Sequence, residues 1–513
     1  MSRTKPKTSH LSFSPILLIL TLFLFLAAAI LIAPAPLSGQ NLEEKVHART
    51  LKNGMTVLLV ERHGAPVFST MYGFKVGSVD EIEGITGTAH LFEHMAFKGT
   101  PKIGTTDFAR EKPVMDEVDR VGREWSLELV KGDQADKAKL ARLREELSKL
   151  EAEQKKFIVK DEIDVIYTNV GGTGLNAGTG TDQTMYIISL PSNQLELFCL
   201  VESERIRNAV LREFYTERSV IQEERKQTTD ASPARLLSEM FMGAAFIAHP
   251  YNHSVVGWAS DINSVTLEEA QAFKNKFYTP NNCVLAISGD IYPDRAWPLI
   301  EKYFGDIPRG EDPPVLRTVE PKQLGERRVR YEFDAEPQLM MGYHKPNFPA
   351  KEDAAASVLA SILSSGRTSR LYKDLIQEKQ LAVNVNAGQG PGVRYPNLFT
   401  FNAAPRHPHT VEEVEKAILE HVEKIKTEPV SARELQKVKN SLEASYIRSM
   451  SSNFGLAMTV ARYQLLFGDW KLYLKYKDTL AAITAQDIMD FAKTYLTAEN
   501  RTVAYLIKKA KAS

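Results

Sequence analysis

A stretch near the end of the chain repeats an earlier one, and this repeat determines the fold. TLEEAQAFKNKFYTPNN, residues 266–282, recurs as TAQDIMDFAKTYLTAEN, residues 484–500, at an offset of 218 residues. Aromatic, threonine and asparagine residues occupy matching places in both segments. A shorter match, MYG at 71–73 against MGY at 341–343, has an offset of 270. Two copies of one domain, the first carrying an insertion of about 52 residues, explain both offsets.

The repeat predicts an α+β fold of two homologous domains, each an antiparallel-rich sheet packed with helices. We expect the first domain at residues 41–308 and the second at 327–510. Residues 309–326 combine glycine, proline and charged residues, which is typical of a linker.

The start of the first domain has the pattern of two strands followed by a helix. TVLLV at 56–60 and VFSTMYGF at 67–74 are typical of strands. A helix is expected to begin at Thr86 or Thr88, with either threonine as its cap, and to end before Gly99.

The insertion falls in a charged stretch at residues 105–163, where leucines are spaced alternately by three and four residues. These are Leu140, Leu143, Leu147 and Leu150, and the stripe expected to face them is Met115, Val118, Trp125 and Leu129. The pattern predicts a helical hairpin that turns at Gly132-Asp133. The alternative is that both helices belong to the domain core.

The overall composition is that of a globular protein, with 43% hydrophobic residues and 64 basic against 64 acidic side chains. This balance argues against nucleic acid as a partner. Cys199 and Cys283 are the only cysteines, in apolar surroundings typical of buried, inert thiols. Any metal must therefore be bound by histidine and carboxylate.

The N-terminus differs from the rest of the chain. Basic residues precede an uncharged apolar run at 16–32, and small and turn-forming residues follow it. Residues 1–39 are therefore interpreted as a signal peptide or an uncleaved membrane anchor. Both predict an exported protein with its catalytic part outside the cytoplasm, periplasmic or extracellular.

The motif HLFEH at 90–94 carries the predicted chemistry. His90 and His94 are four residues apart on a helix, so both imidazoles can reach one ion. Glu93 flanks the same face and can act on a water without binding the metal. The spacing is the inverzincin pattern of zinc peptidases. The alternative is a solvated helix with two surface histidines.

A catalytic zinc needs a third protein ligand and an open position. ERSVIQEE at 217–224 offers carboxylates on a second helix. Glu217 and Glu224 share a face, whereas Glu223 points about 100° away. Glu224 is the predicted ligand, Glu223 the second candidate, and Glu217 a supporting carboxylate. Nearby Lys98 and Arg225 are interpreted as surface charges, and His249 as a structural residue.

HLFEHMAFKGT at 90–100, with the downstream glutamates, resembles the insulinase/pitrilysin family, especially its mitochondrial-processing-peptidase-like branch. The resemblance extends over about residues 41–509. It implies an endopeptidase with one Zn²⁺ per chain, although ligands of this type also suit manganese or cobalt. It assigns His90, His94 and Glu224 as ligands, Glu93 as base and Glu217 as a supporting catalytic residue.

The family also binds substrate as an added strand at a sheet edge. The matching substrate-binding residues here are Asn176, Ala177, Gly178 and Thr179, and backbone pairing of this kind holds any extended or unfolded peptide. The alternative is that glycines 171, 172, 174 and 178 form only a flexible turn.

One departure from the family concerns an Arg/Tyr pair, seven residues apart, that helps to bind substrate or stabilise the oxyanion. Ile376 and Val383 occupy these positions, and neither can donate a side-chain hydrogen bond. Family enzymes enclose substrate between two domain pairs, and this chain supplies one. We therefore predict the metal-bearing subunit of a heterodimer whose homologous partner brings the Arg/Tyr pair, with a homodimer as the alternative.

Two other interpretations remain beside the exported zinc endopeptidase. The chain could be a catalytically inactive metal-binding scaffold subunit of a peptidase-like assembly, which the intact motif opposes. The metal could also be structural, but such a site needs no base and is closed by a fourth ligand.

Overall fold

The computed structural model describes residues 39–509. The predicted signal or anchor, residues 1–39, lies outside the described residues except for Gly39. Within residues 39–509, no helix is both long enough and apolar enough to cross a bilayer.

The structure confirms the α+β fold, with two sheets of six and five strands. The first sheet, in the order β1-β2-β6-β3-β5-β4, consists of β1 (Val46–Thr50), β2 (Thr56–Glu61), β3 (Val67–Phe74), β4 (Thr173–Thr179), β5 (Thr184–Pro191) and β6 (Cys283–Gly289). The second, in the order β7-β11-β8-β10-β9, consists of β7 (Arg327–Phe333), β8 (Gln338–Lys345), β9 (Ala382–Gly390), β10 (Asn397–Pro405) and β11 (Arg501–Lys508).

Helices fill the sequence between these strands. Up to β6 they are α1 (Gly39–Lys45), α2 (Thr88–Met95), α3 (Phe108–Leu129), α4 (Lys137–Gln154), α5 (Glu162–Asn169), α6 (Leu195–Asn208), α7 (Phe214–Arg225), α8 (Pro233–Ala245), α9 (Ala259–Ser264) and α10 (Leu267–Phe277). After β6 they are α11 (Pro293–Phe304), α12 (Lys351–Ser364), α13 (Val411–Thr427), α14 (Ala432–Ser449), α15 (Asn453–Phe467), α16 (Leu472–Ala482) and α17 (Ala485–Tyr495). Residues 309–324 contain neither helix nor strand, while the domain boundaries themselves stay predictions.

The two sheets have the same topology once β1 is set aside. In each, the last strand of the domain runs parallel to the first, and the other pairings are antiparallel. The repeated segments form α10 and α17, each with a threonine capping box, at Thr266 and Thr484. Asn282 and Asn500 each donate to the carbonyl at the end of that helix; Asn282 also donates to Lys75, directly after β3, and Asn500 to His344 of β8. The sequence repeat is therefore a structural duplication.

The predicted offset of 270 is wrong by one residue. Gly73 pairs with Val284 and Gly342 with Thr502, and these partners are 218 residues apart. Gly73 therefore corresponds to Gly342, at an offset of 269. Both glycines make room for a helix: an added Cβ would lie 3.1 Å from Leu465 at Gly73 and 2.8 Å from Phe241 at Gly342.

Each domain covers one face of the other domain's sheet with a helix. Helix α15 packs on β3 and β6 of the first sheet, and α8 packs on β7, β8 and β11 of the second. Along β2, alternate residues therefore face two different cores, the domain's own helices and α15. This reciprocal exchange ties the two domains together through buried apolar side chains.

The charged stretch at 105–163 contains two packed helices, α3 and α4, joined by a short turn at Gly132–Gln134. Its inner face is continuous with the first domain's core, because Val118, Val121, Leu143 and Leu147 pack within that core. The insertion is thus an integral layer of the domain. Cys199 and Cys283 are buried, and burial raises the pKa of each thiol.

Truncating a buried side chain of α15 tests how far the packing of this helix on the first sheet stabilises the protein. Leu456 of α15 is fully buried against the first sheet, so Leu456→Ala should lower the free energy of unfolding by about 2–5 kcal/mol. The matched control Leu324→Ala removes a side chain that is 85% exposed and should change it by less than about 0.5 kcal/mol. Denaturant unfolding of both variants measures the difference; equal effects would contradict the exchange.

Candidate metal centre

The helix that carries the HLFEH motif is held at its N-terminus by carboxylates from elsewhere in the fold. Helix α2 begins at Thr88 after Gly87, whose φ of +88° suits glycine, and the predicted threonine cap is wrong. Glu81 instead accepts the N–H groups of Gly87 and Ala89, each at 2.8 Å. Thr86 bonds to Asp261. Burial raises the pKa of Glu81, and the two N–H bonds oppose it.

Three potential metal ligands converge from α2 and α7. Glu224 Oε2 lies 3.7 Å from His90 Nε2 and 3.6 Å from His94 Nε2. Tetrahedral ligands at zinc–nitrogen distances of about 2.0–2.1 Å lie about 3.4 Å apart, so small movements would complete the set. The ligand atoms of His90, His94 and Glu224 all lie within 4.8 Å of one another. Among the described residues, no other group of three histidine, cysteine, aspartate or glutamate side chains comes this close together. The donor set therefore fits zinc.

The two other glutamates of α7 have different surroundings. Glu223 forms an ion pair with Lys226 at 2.6 Å, and its side chain is 60% exposed. Glu217 is nearly buried, lies 3.5 Å from His94 Nδ1 and pairs with Lys98 at 2.6 Å. Lys98, interpreted from the sequence as a surface charge, is thus half-buried and bound to this carboxylate.

The local charges set opposite protonation tendencies in the two histidines. Burial, reinforced by neighbouring His94, lowers the pKa of His90. Burial also opposes protonation of His94, but the contact with Glu217 outweighs it and raises the pKa. Burial would raise the pKa of Glu217, yet bonds to His94 and Lys98 lower it overall. Glu217 therefore remains ionised, and it can orient the imidazole of His94.

Glu93 points into the same cleft without joining the ligand group. Thr179 Oγ1, at the end of β4, donates to Glu93 Oε2 at 2.6 Å. A cleft of 480 Å³ is lined by His90, Glu93 and Glu224 together with Gly178 and Thr179 of this strand. A candidate base, the ligand group and a backbone edge thus meet in one place.

Residues 173–179 form strand β4, which contradicts the alternative of a flexible turn alone. It is the edge strand of the first sheet and pairs with β5. Positive φ angles occur at Gly171 and Gly174, before and at the start of the strand, where the register also shifts. Asn176 and Ala177 lie in the paired part of the strand, so all four predicted substrate-binding residues are on this edge.

Buried charges hold helix α7, and the sequence interpretation missed them. Arg225, expected on the surface, is 6% exposed and makes two 2.8 Å bonds to Glu239 of α8. Arg218 is fully buried and donates to Ser126 of the inserted α3. Gly122 of α3 packs against a tyrosine ring of α7 so closely that a Cβ would lie 2.2 Å from it. The insertion therefore supports the helix that carries Glu224.

A loop of the second domain reaches the cleft at Pro391. Arg394 pairs with Asp80 at 2.9 Å, and Asp182 accepts the N–H group of Arg394. Tyr251 OH donates to Asp182 at 2.7 Å. His249 is buried beside Tyr251, whose N–H it accepts, in keeping with its predicted structural role. Only the tertiary structure brings these residues together.

Two stretches of the chain match models of known protein families. Residues 56–112, which include the HLFEH motif, match the insulinase family, peptidase family M16. Residues 264–442 match the M16 inactive domain.

The chain carries domains of the insulinase family, peptidase family M16.

Relatives of this chain include the zinc protease PqqE of Helicobacter pylori. It is 26% identical over 479 residues, 92% of this chain and 95% of the relative. A zinc protease of Bacillus subtilis, YmxG, is 20% identical and covers 87% of this chain and 95% of its own length.

A solved protease structure from Helicobacter pylori has a TM-score of 0.76 and 26% identity, covering 90% of this chain and 99% of the other. The periplasmic protease PqqL of Escherichia coli is 17% identical with a TM-score of 0.65, which shows a shared fold. This chain covers 90% of its own length but 48% of PqqL.

Exchanging single carboxylates tests the ligand set. Glu224→Gln should weaken zinc binding at least about 100-fold, since even losing a residue that only orients a ligand costs 10–100-fold. Glu223→Gln changes the adjacent, exposed carboxylate and should bind zinc as wild type does. Competition with a chromogenic chelator measures both affinities. Equal weakening, or a loss confined to Glu223→Gln, would contradict the assignment.

Proposed function

We propose that the chain is a zinc-dependent endopeptidase that hydrolyses peptide bonds of extended or unfolded peptides. The proposal rests on one observation above all: His90, His94 and Glu224 converge beside Glu93 at an open sheet edge. The match to domains of a peptidase family agrees with it. The cleft leaves room beside the ligand group, as a catalytic site requires.

In this proposal His90, His94 and Glu224 hold one zinc ion per chain. Zinc bound there would supply Lewis acidity, which polarises a scissile carbonyl and lowers the pKa of water. Glu93 Oε takes the proton of the attacking water and delivers it to the leaving amine. The bond from Thr179 fixes the orientation of Glu93, and Glu217 orients the ring of His94.

Substrate is proposed to add to β4 as a further strand. An edge strand presents unpaired backbone N–H and C=O groups, which bind an extended peptide irrespective of its side chains. Asn176, Ala177, Gly178 and Thr179 form this edge, and Thr179 also touches Glu93. A peptide paired there would run directly past the base.

A homologous partner subunit is proposed to complete the site. Ile376 and Val383 stand where the family pattern has its Arg/Tyr pair, and Val383 is 53% exposed at the start of β9. Arg394 is committed to Asp80 and is therefore unavailable as a substitute. The chain also covers only half of PqqL, as expected for one of two domain pairs. A homodimer is the alternative assembly.

The proposed location is outside the cytoplasm, in the periplasm or the extracellular space. Support comes from the composition of residues 1–39 and from the periplasmic location of PqqL. Retention of residues 1–39 would anchor the catalytic part to a membrane.

An inactive scaffold subunit is the second candidate function. The match of residues 264–442 to an inactive domain and the missing Arg/Tyr pair favour it. The complete ligand group with Glu93 beside it favours the peptidase, because a scaffold needs no base.

Replacing the base separates catalysis from metal binding. Glu93→Gln should keep one zinc per chain but lower the turnover of an unstructured peptide mixture by about 10²–10⁴-fold. The control Glu83→Gln alters an exposed glutamate of the preceding loop and should leave turnover unchanged. Cleavage followed by mass spectrometry gives both rates. Undiminished cleavage by Glu93→Gln would refute its role, and zinc binding without any wild-type cleavage would favour the scaffold.

The partner hypothesis predicts that turnover depends on a second, homologous subunit. The chain alone should bind zinc yet turn over peptides much more slowly than about 1 s⁻¹, the low end of ordinary enzymes, and a co-expressed partner should restore the rate. Full turnover by a purified monomer or homodimer would defeat the heterodimer.

A further inference from the structure

Helix α8 lies between the second sheet and the catalytic cleft, and its two faces have different tasks. Leu237, Phe241 and Ala245 are buried against the second sheet. Arg235, Ser238 and Met242 line the same cleft as His90, Glu93 and Glu224. Their spacing of three and four residues puts them on one helix face. The second domain therefore fixes the residues that face substrate.

The charges of this cleft leave one cation without a partner. Glu239 is bound by Arg225 through two bonds of 2.8 Å. Arg235 is exposed in the first turn of α8 and forms no ion pair within 4 Å in the described part of the chain. Among the residues lining the cleft, it is the one lysine or arginine.

A guanidinium group in such a position has a defined chemical preference. It carries a positive charge and presents parallel N–H donors that match the two oxygens of a carboxylate. Its long side chain reaches into the cleft while its backbone is held by the helix. Glu93 and Glu224 leave the cleft otherwise acidic, so a peptide carboxylate is best accommodated near Arg235.

We propose that Arg235 is a specificity-determining residue that binds a carboxylate of the substrate peptide. The proposal rests on the peptidase function and narrows its substrates to peptides with a carboxylate a short distance from the scissile bond. This carboxylate belongs either to an acidic side chain or to the peptide's C-terminus. Both have the same chemistry, and the test below separates them.

Binding to an inactive chain tests the proposal without relying on turnover. Glu93→Gln, loaded with zinc, is titrated with fluorescent peptides in which glutamate replaces glutamine at one position at a time, all with amidated C-termini. A further peptide keeps glutamine throughout but has a free C-terminus. The same peptides are titrated with Glu93→Gln carrying Arg235→Gln. Arg433→Gln is the control, since Arg433 is also exposed and forms no ion pair within residues 39–509.

We expect one glutamate peptide, or the free C-terminus, to bind about tenfold more tightly than its neutral counterpart, as a charge-assisted bidentate bond allows. Arg235→Gln should abolish this preference, and Arg433→Gln should preserve it. A preference that is absent, or that survives Arg235→Gln, overturns the inference, as does failure of every peptide to bind. Cleavage by the wild-type chain is measured separately, so the peptidase function can stand when this inference fails.

Discussion

The structure depends on bringing imidazole and carboxylate groups from two helices, distant in sequence, to within 4.8 Å of one another. His90 and His94 lie on α2 and Glu224 on α7, and the whole insertion separates them in sequence. Such polar groups gain little from packing and must be held by other interactions. Buried ion pairs do this: Arg212 binds Glu111 of the inserted α3 at 2.6 Å and also the backbone after α2, at Thr100.

The second domain contributes rigidity instead of ligands. By exchanging α8 and α15, the domains bury apolar faces against each other's sheets, so the cleft wall formed by α8 cannot move independently of the second sheet. Arg225 connects α7 to the same wall through Glu239. The second domain thereby helps to fix the geometry of the candidate metal centre in the first domain.

Patterns that depend on local periodicity could be predicted from the sequence. The repeat predicted two homologous domains, and the spacing of apolar residues predicted the hairpin of α3 and α4. The angle between successive residues of a helix favoured Glu224 over Glu223 as the ligand. The errors arose where tertiary contacts decide. Glu81 caps α2 in place of a threonine, and Arg225 is buried because Glu239 arrives from another helix. The register was wrong by one residue because only the strand pairing shows that Gly73 corresponds to Gly342.

X-ray absorption at the zinc edge of the purified protein tests the ligand group most directly. We expect one zinc per chain, bound only by nitrogen and oxygen at about 2.0–2.2 Å, with the scattering of two imidazoles. A zinc–sulfur distance of about 2.3 Å, or a metal bound by a single imidazole, would show that His90, His94 and Glu224 do not form the site.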